Sequence, residues 1–308
     1  MAFVRVPGND VPEGAEEHWI EGRGGIKVRV LTAPSARGPA RGSVIVAPGR
    51  TEFIEKYFEV IRELQQRGFA VLCIDWRGQG LSGREVENSV KGHFASFDDP
   101  VNDLSTALKL LADKLPHPHI GLAHSMGGAI LLRAMQTRRV ELEGAAFVAP
   151  MWGIASLNKF AKRYASFMTS VGAGGMFAPS VDTRWKREPF KNNPVTNDEA
   201  RHARCQDLIS QEPRLALAGP TLGWVAAAGG VIEAIAQPSA SAHLRVPILV
   251  ATASEELLVD NASHDRVVAG LPDAVHITIP GAKHEILMEK DEARAQFWAA
   301  FDALAARA

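Results

Sequence analysis

The sequence predicts an α/β domain with a mostly parallel sheet and helices on both faces. Three observations carry this. Short runs that are apolar throughout, such as Val44-Ile45-Val46-Ala47, alternate with stretches whose apolar residues recur at helical spacing. Strands buried on both faces and alternating with helices belong to parallel sheets. The alternation stops after Pro150 and resumes at Pro247. Residues 151–242 therefore read as a largely helical inserted cap in one sheet domain made of residues 1–150 and 243–308. The third observation is Ala123-His124-Ser125-Met126-Gly127-Gly128, which joins a strand-like run to a helix-like one with a serine at the apex.

In chain order, residues 17–32 read as a β-hairpin. His18-Trp19-Ile20 and Ile26-Lys27-Val28-Arg29-Val30-Leu31 flank Gly22, Gly24 and Gly25, and the second run alternates apolar with charged. A loop rich in Pro, Ala, Arg and Gly runs to Gly42. Strand 43–47 leads to a helix marked by Ile54, Phe58, Ile61 and Leu64. Strand 69–74 is followed by a helix over 98–115 with Val101, Leu104, Leu108, Leu111 and Leu115 on one face. Strand 119–123 enters the serine turn, and 144–149 is again a strand. After the insertion come strand 247–252, helix 261–271, strand 274–279 and a last helix over 291–306.

Hydrophobic residues make up 46% and charged residues 22%, with a net charge of −1, so nothing electrostatic points to nucleic acid. Cys73 and Cys205 cannot make a disulfide framework. Residues 1–17 carry prolines and acids where a signal peptide has a basic start and an apolar run, so a reducing, cytoplasmic setting is expected. Residues 215–232 lack charge, but Gly219, Pro220, Gly223, Gly229 and Gly230 leave them too short and too weakly apolar for a membrane span. Oligomeric state is not legible.

A serine hydroxyl attacks a carbonyl only when a base takes its proton, and an acid must hold that base in one tautomer. On a parallel sheet these groups sit in loops at the carboxyl ends of strands, in the order Ser, Asp or Glu, His. Ser125 stands at such a position, with small residues two places either side. Of the ten histidines, only His284 lies in a glycine-containing loop just past the last strand. The acid stays open among Glu255, Glu256 and Asp260, all just past strand 247–252, although Asp260 is most simply a helix-start residue. Oxyanion donors are expected from the backbone N–H of Met126, after the nucleophile, and of Arg50, which Gly49 can aim inward.

Phe160, Tyr164, Phe167, Met168 and Val171 form an apolar stripe at helical spacing in the insertion. The stripe either packs on the sheet domain as core or forms the inner face of a cap that receives an acyl chain. Phe160, Tyr164, Phe167 and Trp224 are the candidate substrate contacts. Lys159, Lys162 and Arg163 on other faces would suit peripheral contact with an anionic membrane surface. The glycine-rich string Asp75-Trp76-Arg77-Gly78-Gln79-Gly80-Leu81-Ser82-Gly83 reads as a turn in which Arg77 pairs a carboxylate to brace the site. It lacks the Lys-Ser/Thr end of a phosphate-binding loop. No cluster has metal-ligand spacing, His117-Pro118-His119 reads as a solvated strand lead-in, and no metal or cofactor is expected.

Three strings resemble the monoacylglycerol lipase and lysophospholipase branch of the α/β-hydrolase superfamily, most closely the bacterial lysophospholipase L2 type. Ala47-Pro48-Gly49-Arg50-Thr51-Glu52 is similar to its oxyanion loop, residues 75–83 to a turn seen across the superfamily, and Gly281-Ala282-Lys283-His284-Glu285-Ile286-Leu287 to the loop of the catalytic histidine. The resemblance implies an α/β-hydrolase fold with Ser125 as nucleophile, His284 as base, and Arg50 and Met126 as oxyanion donors. It places the acid four residues before Asp260, at Glu256, where the family usually has Asp. It implies hydrolysis of a single-chain lipid ester through an acyl-serine, with lipid ester as the partner. The same residues would serve an acyltransferase if a second alcohol replaced water, and the remaining rival is a non-catalytic ligand-binding protein on the same fold.

Overall fold

At the centre of the sheet, β3 (Ser43–Ala47) and β5 (His119–His124) are buried along their whole length and pair in parallel from Ser43 with His119 to Ala47 with Ala123. The computed structural model describes residues 3–308. The other strands are β1 (Glu16–Glu21), β2 (Lys27–Ala33), β4 (Ala70–Ile74), β6 (Gly144–Val148), β7 (Ile248–Ala253) and β8 (Ala274–Ile279). They form one sheet in the order β1-β2-β4-β3-β5-β6-β7-β8. Pairing is antiparallel for β1 with β2 and β2 with β4, and parallel everywhere else. The parallel strands therefore end on the same edge, where the loops after β3, β5, β7 and β8 meet.

Successive strand residues point to opposite faces, and the two faces carry separate cores. Ile45, Leu72, Ile74 and Ala123 pack with α2 (Asp98–Leu110) and α3 (Met126–Gln136), through Val101, Leu104, Ile130 and Leu131. Val44, Val46, Val71 and Leu122 pack with α1 (Phe58–Gln66) and α9 (Asp291–Ala305), through Phe58, Ile61, Phe297 and Phe301. Helices thus cover both faces, as the sequence predicts. Two helices are shorter than their periodicity suggests. The first begins as a 3-10 turn, Ile54–Tyr57, whose leading N–H, from Ile54, donates to the Asp75 carboxylate at 2.8 Å. The helix from Asp98 ends at Leu110, before a separate 3-10 turn, Ala112–Lys114.

Between β6 and β7 the chain forms α4 (Lys159–Met168), α5 (Glu199–Gln211), α6 (Leu222–Ile235) and α7 (Pro238–Ser241). The apolar stripe of α4 is not core. Phe160 is 80% and Phe167 63% exposed, and Ala165 is the one buried residue of the helix. The helix lies on α6 through small side and stem contacts, and a Cβ on Gly229 would meet the stem of Lys162 at 2.8 Å. Residues 215–232 become the end of a 3-10 turn, Pro213–Leu215, a bend and most of α6. No helix among the described residues is long and apolar enough to cross a membrane.

The charged turn after β4 departs from expectation in one respect. Arg77 does pair a carboxylate, Asp103 at 2.7 Å, but this ties the turn to α2 rather than bracing the serine. Asp75 is the hub of the turn, taking hydrogen bonds from Arg29 Nε and from the N–H groups of Ile54 and Leu81, each at 2.8 Å. A Cβ on Gly80, whose φ is +56°, would lie 2.2 Å from the Asp75 carboxyl. His117 and His119, at the opposite end of β5 from Ser125, are not simply a solvated lead-in. Their rings stack at 3.8 Å, His119 is buried, and with Glu143 they form the one cluster among the described residues whose donor atoms are close enough to share a metal ion. Glu143 is already engaged, by His117 Nδ1 at 2.9 Å and the His119 N–H at 2.6 Å.

Candidate active site

Ser125 follows β5 directly and has φ 49° and ψ −118°, a strained conformation for a residue with a side chain. The strain is held on both sides. The Ser125 N–H donates to Val148 O at 3.1 Å, and Ser125 O accepts from the N–H groups of Gly128 and Met151, each at 2.9 Å. Close packing explains the small residues after it. A Cβ on Gly127 would sit 2.0 Å from the carbonyl oxygen of Ala47, and one on Gly128 2.7 Å from the Pro150 ring. Ala123 is buried and its methyl is accommodated in the sheet.

The loop after β8 brings His284 to this turn. Its Nε2 lies 2.9 Å from Ser125 Oγ, and its Nδ1 2.7 Å from Glu256 Oε2. The carboxylate only accepts, so Nδ1 carries the proton and Nε2 is left to take the serine's. Glu256 is the acid that structure joins to the histidine. Its side chain is 1% exposed, and Oε1 accepts from the N–H groups of Leu258 at 2.7 Å and Val259 at 3.2 Å. Burial alone would raise its pKa, but the bond and charge of His284 and these two N–H groups hold it below the usual carboxylate range. Glu255 is exposed, and Asp260 caps α8 (Asn261–Val268) through the Ala262 N–H and pairs with Arg266.

The loop after β3 is fixed by the turn after β4. Trp76 Nε1 donates to Pro48 O, and Gln79 Nε2 to Gly49 O, each at 2.7 Å. A trans peptide holds its C=O and N–H on opposite sides. With Gly49 O clamped by Gln79, the Arg50 N–H is turned to the other side, and neither it nor the Met126 N–H is bound by an acceptor among the described residues. The close approach of Gly127 to Ala47 sets the start of α3 against this loop. Bracing of the site thus comes from Trp76 and Gln79, where sequence reasoning looked to Arg77.

A family model described as serine aminopeptidase, S33, matches residues 38–291. Lysophospholipase L2 of Escherichia coli is 34% identical over 273 residues, covering 82% of this chain and 76% of the relative. The chain belongs to this family of α/β hydrolases. Monoacylglycerol lipase of Mycolicibacterium smegmatis is 25% identical over 290 residues, covering 90% of this chain and 92% of that one. Among solved structures, a soluble variant of monoglyceride lipase from Saccharomyces cerevisiae superposes with a TM-score of 0.75 at 17% identity, covering 96% of this chain and 97% of the other, which shows a shared fold.

Beneath the site of this α/β hydrolase lies a charge cluster that sequence reasoning missed. Glu52 accepts from the Gly49 N–H, from Tyr57 Oη at 2.7 Å and from His124 Nδ1 at 3.0 Å, and pairs with Lys56 at 2.8 Å. Lys56 also meets Glu285 at 2.6 Å, and His124 Nε2 donates to the His284 carbonyl at 3.2 Å. Both ring nitrogens of His124 face atoms that only accept, so the ring is an imidazolium. Burial would lower its pKa, but the Glu52 carboxylate raises it above the ordinary histidine value. His124 thereby links the loop of Arg50 to the loop of His284. The available signal was a carboxylate and a lysine four apart in the first loop and a histidine next to the serine.

Between α4 and α6 is a cavity of about 490 Å³ lined by Ile154, Phe160, Tyr164, Val181, Leu222 and Trp224, among others. Of the four candidate substrate contacts, Phe160, Tyr164 and Trp224 line this cavity, and Phe167 is not in the wall and faces outward. Ser125 is not in the wall either, but two contacts tie the cavity to its loops. Ile154 bridges Val259, whose N–H binds Glu256, and Trp224 lies under the Arg50 guanidinium at 5.2 Å.

Proposed function

We propose that this carboxylic ester hydrolase cleaves single-chain lipid esters through an acyl-Ser125 intermediate. The observation that carries the reading is the unbroken line Ser125 Oγ, His284, Glu256, at 2.9 and 2.7 Å, on a strained turn. Ser125 Oγ attacks the ester carbonyl carbon as its proton passes to His284 Nε2. Glu256 stabilises the imidazolium that forms. The N–H groups of Arg50 and Met126 take the negative charge that develops on the carbonyl oxygen. His284 then protonates the departing alcohol, leaving acyl-Ser125. Water, deprotonated by the same nitrogen, attacks the acyl carbon and releases the fatty acid and free Ser125.

Residues 151–242 act in this reading as a cap, with the apolar cavity between α4 and α6 taking the acyl chain. The names of the relatives support a lysophospholipid or monoacylglycerol as substrate. Phe160 and Phe167 of α4, with Val171 in the turn that follows it, are exposed beside Lys159 and Arg163, a combination suited to resting on an anionic lipid surface. The test is hydrolysis of p-nitrophenyl esters of graded chain length, beside lysophosphatidylcholine and monoacylglycerol, by wild type and Ser125→Ala. Wild type should turn these over and bind a fluorophosphonate probe covalently, and the variant should do neither. Equal labelling of the variant would reject Ser125 as nucleophile.

A further inference from the structure

Among the described residues, most cations drawn wholly or partly into the interior have well-placed partners. Arg29 lies between Glu55 and Asp75, and Arg77 against Asp103. Arg84 has no carboxylate, but its N–H groups reach the carbonyls of Gly80, Ser82, Ser89 and Arg214. Arg50 has neither arrangement. One N–H of its guanidinium reaches Ala218 O at 2.8 Å, its Nε is buried with no acceptor, and burial without any offsetting carboxylate pushes its pKa down to about 10. It is still a cation at neutral pH, held beside the ester site and short of an anion. The residue is half-buried but its Nε wholly so, and leaving that N–H without an acceptor is costly, a cost that a ligand bringing an anion recovers.

The surroundings say where that anion comes from. Arg50 lines a second cavity of about 470 Å³, with Arg184 and Lys186 and, opposing them, Asp182 and Glu188. Arg187 is there too but is paired with Asp207 at 2.8 Å. This polar cavity shares Val181 and Pro220 with the apolar cavity between α4 and α6. One side of the shared wall is suited to an acyl chain and the other to a charged group, and the Arg50 backbone belongs to the loop expected to hold the ester oxygen.

We propose that the Arg50 guanidinium receives the phosphate of the substrate's head group, so that the preferred ester carries a phosphate on its alcohol side. This rests on the ester-hydrolase reading above. A guanidinium fork matches two phosphate oxygens and forms charge-assisted hydrogen bonds that a neutral glycerol head cannot supply. The stack on Trp224 and the bond to Ala218 then orient the fork rather than satisfy it.

The experiment compares 1-lauroyl-glycerophosphate and 1-lauroyl-glycerophosphocholine with 1-lauroylglycerol, which share one acyl chain. It uses wild type, Arg50→Met and Arg50→Lys. The readout is the ratio of kcat/KM for phosphate-bearing over neutral ester within one preparation, which depends neither on the fraction folded nor on damage to the oxyanion loop. The expected result is a ratio at least about tenfold lower in Arg50→Met, mostly through KM, and partly restored in Arg50→Lys. An equal loss on both esters would make Arg50 a structural strut and overturn the proposal. Inorganic phosphate is the second arm. Phosphate that inhibits wild type but not Arg50→Met, with head-group preference unchanged, would assign the site to a free anion and overturn the head-group assignment. A wild type that turns over none of the three esters would overturn the ester reading itself, and this inference with it.

Discussion

The His124 imidazolium lies 3.0 Å from the Glu52 carboxylate, both nearly inaccessible to solvent, one residue before Ser125 and at the root of the loop that carries Arg50. Glu52 faces two cations, Lys56 and His124, and the Gly49 N–H. Glu52→Gln keeps the shape, removes the charge and leaves both cations to Glu285. Removing one member of a buried ion pair costs about 3–5 kcal/mol, so a large drop in the urea midpoint is expected. Because the same residue shapes the loop whose Arg50 N–H is proposed to bind the oxyanion, kcat should fall by about tenfold or more with KM nearly constant. Unchanged stability and turnover would show that the cluster holds nothing in place.

Glu256 is the acid joined to His284, whereas Glu255 is solvated and Asp260 is spent on a helix cap. Glu256→Gln is therefore expected to lower kcat by at least about 10²-fold in a protein that still folds, since losing the acid from a serine triad costs about 10⁴. Glu255→Gln and Asp260→Asn should each cost less than about tenfold. A crippled Glu255→Gln beside a normal Glu256→Gln would reverse the assignment.

Gly127 has ordinary helical backbone, so the reason for glycine there is space alone. The Cβ of alanine would fall 2.0 Å from a main-chain oxygen, which cannot rotate away. Gly127→Ala must push α3 from β3, at about 1–3 kcal/mol for an overpacked site, and must shift the Met126 N–H. Turnover should fall far more than thermal stability. Wild-type kinetics in this variant would mean that the start of α3 and the loop after β3 are not in contact.

His264 is fully buried, donating from Nε2 to Pro150 O and accepting at Nδ1 from Thr252 Oγ1, each at 2.8 Å. Burial, only partly offset by the Pro150 carbonyl, pushes its pKa down to about 4. The unfolded chain, with a histidine pKa of about 6.5, takes up the proton first. Stability from this residue is complete above about pH 6.5 and is lost as pH falls toward about 4, on the order of 3 kcal/mol in all. His18, His93 and His202 are shifted in the same direction, burial being the main cause in each. Carboxylates held low, such as Glu59 at about 2, act only below about pH 4.5. His124, raised in pKa, works in the opposite direction over this window, so the signature of His264 is a difference: in urea titrations at pH 7 and pH 5 the wild type should lose more stability, or gain less, than His264→Gln. Equal pH dependence in the two proteins would acquit His264.

Much of this protein is local information. Runs such as Val44-Ile45-Val46-Ala47, buried on both faces, can only be inner strands, and periodic helices between them dictate the parallel sheet. Because such a sheet gathers the loops after its strands at one edge, the meeting of Ser125 and His284 was legible from their positions after β5 and β8. Three things were decided only by packing. Neighbouring glutamates have the same chemistry, and the direction of one side chain toward His284 separates Glu256 from Glu255. The stripe of α4 has the same periodicity whether it meets a core or solvent, and only its docking on α6 leaves Phe160 and Phe167 exposed. The charges of Glu52, Lys56, His124 and Glu285 look like surface residues in a sequence. They become an interior cluster because the loops after β3 and β8 meet at the end of β5, and burial turns weak solvated pairs into the strong ones that hold the site.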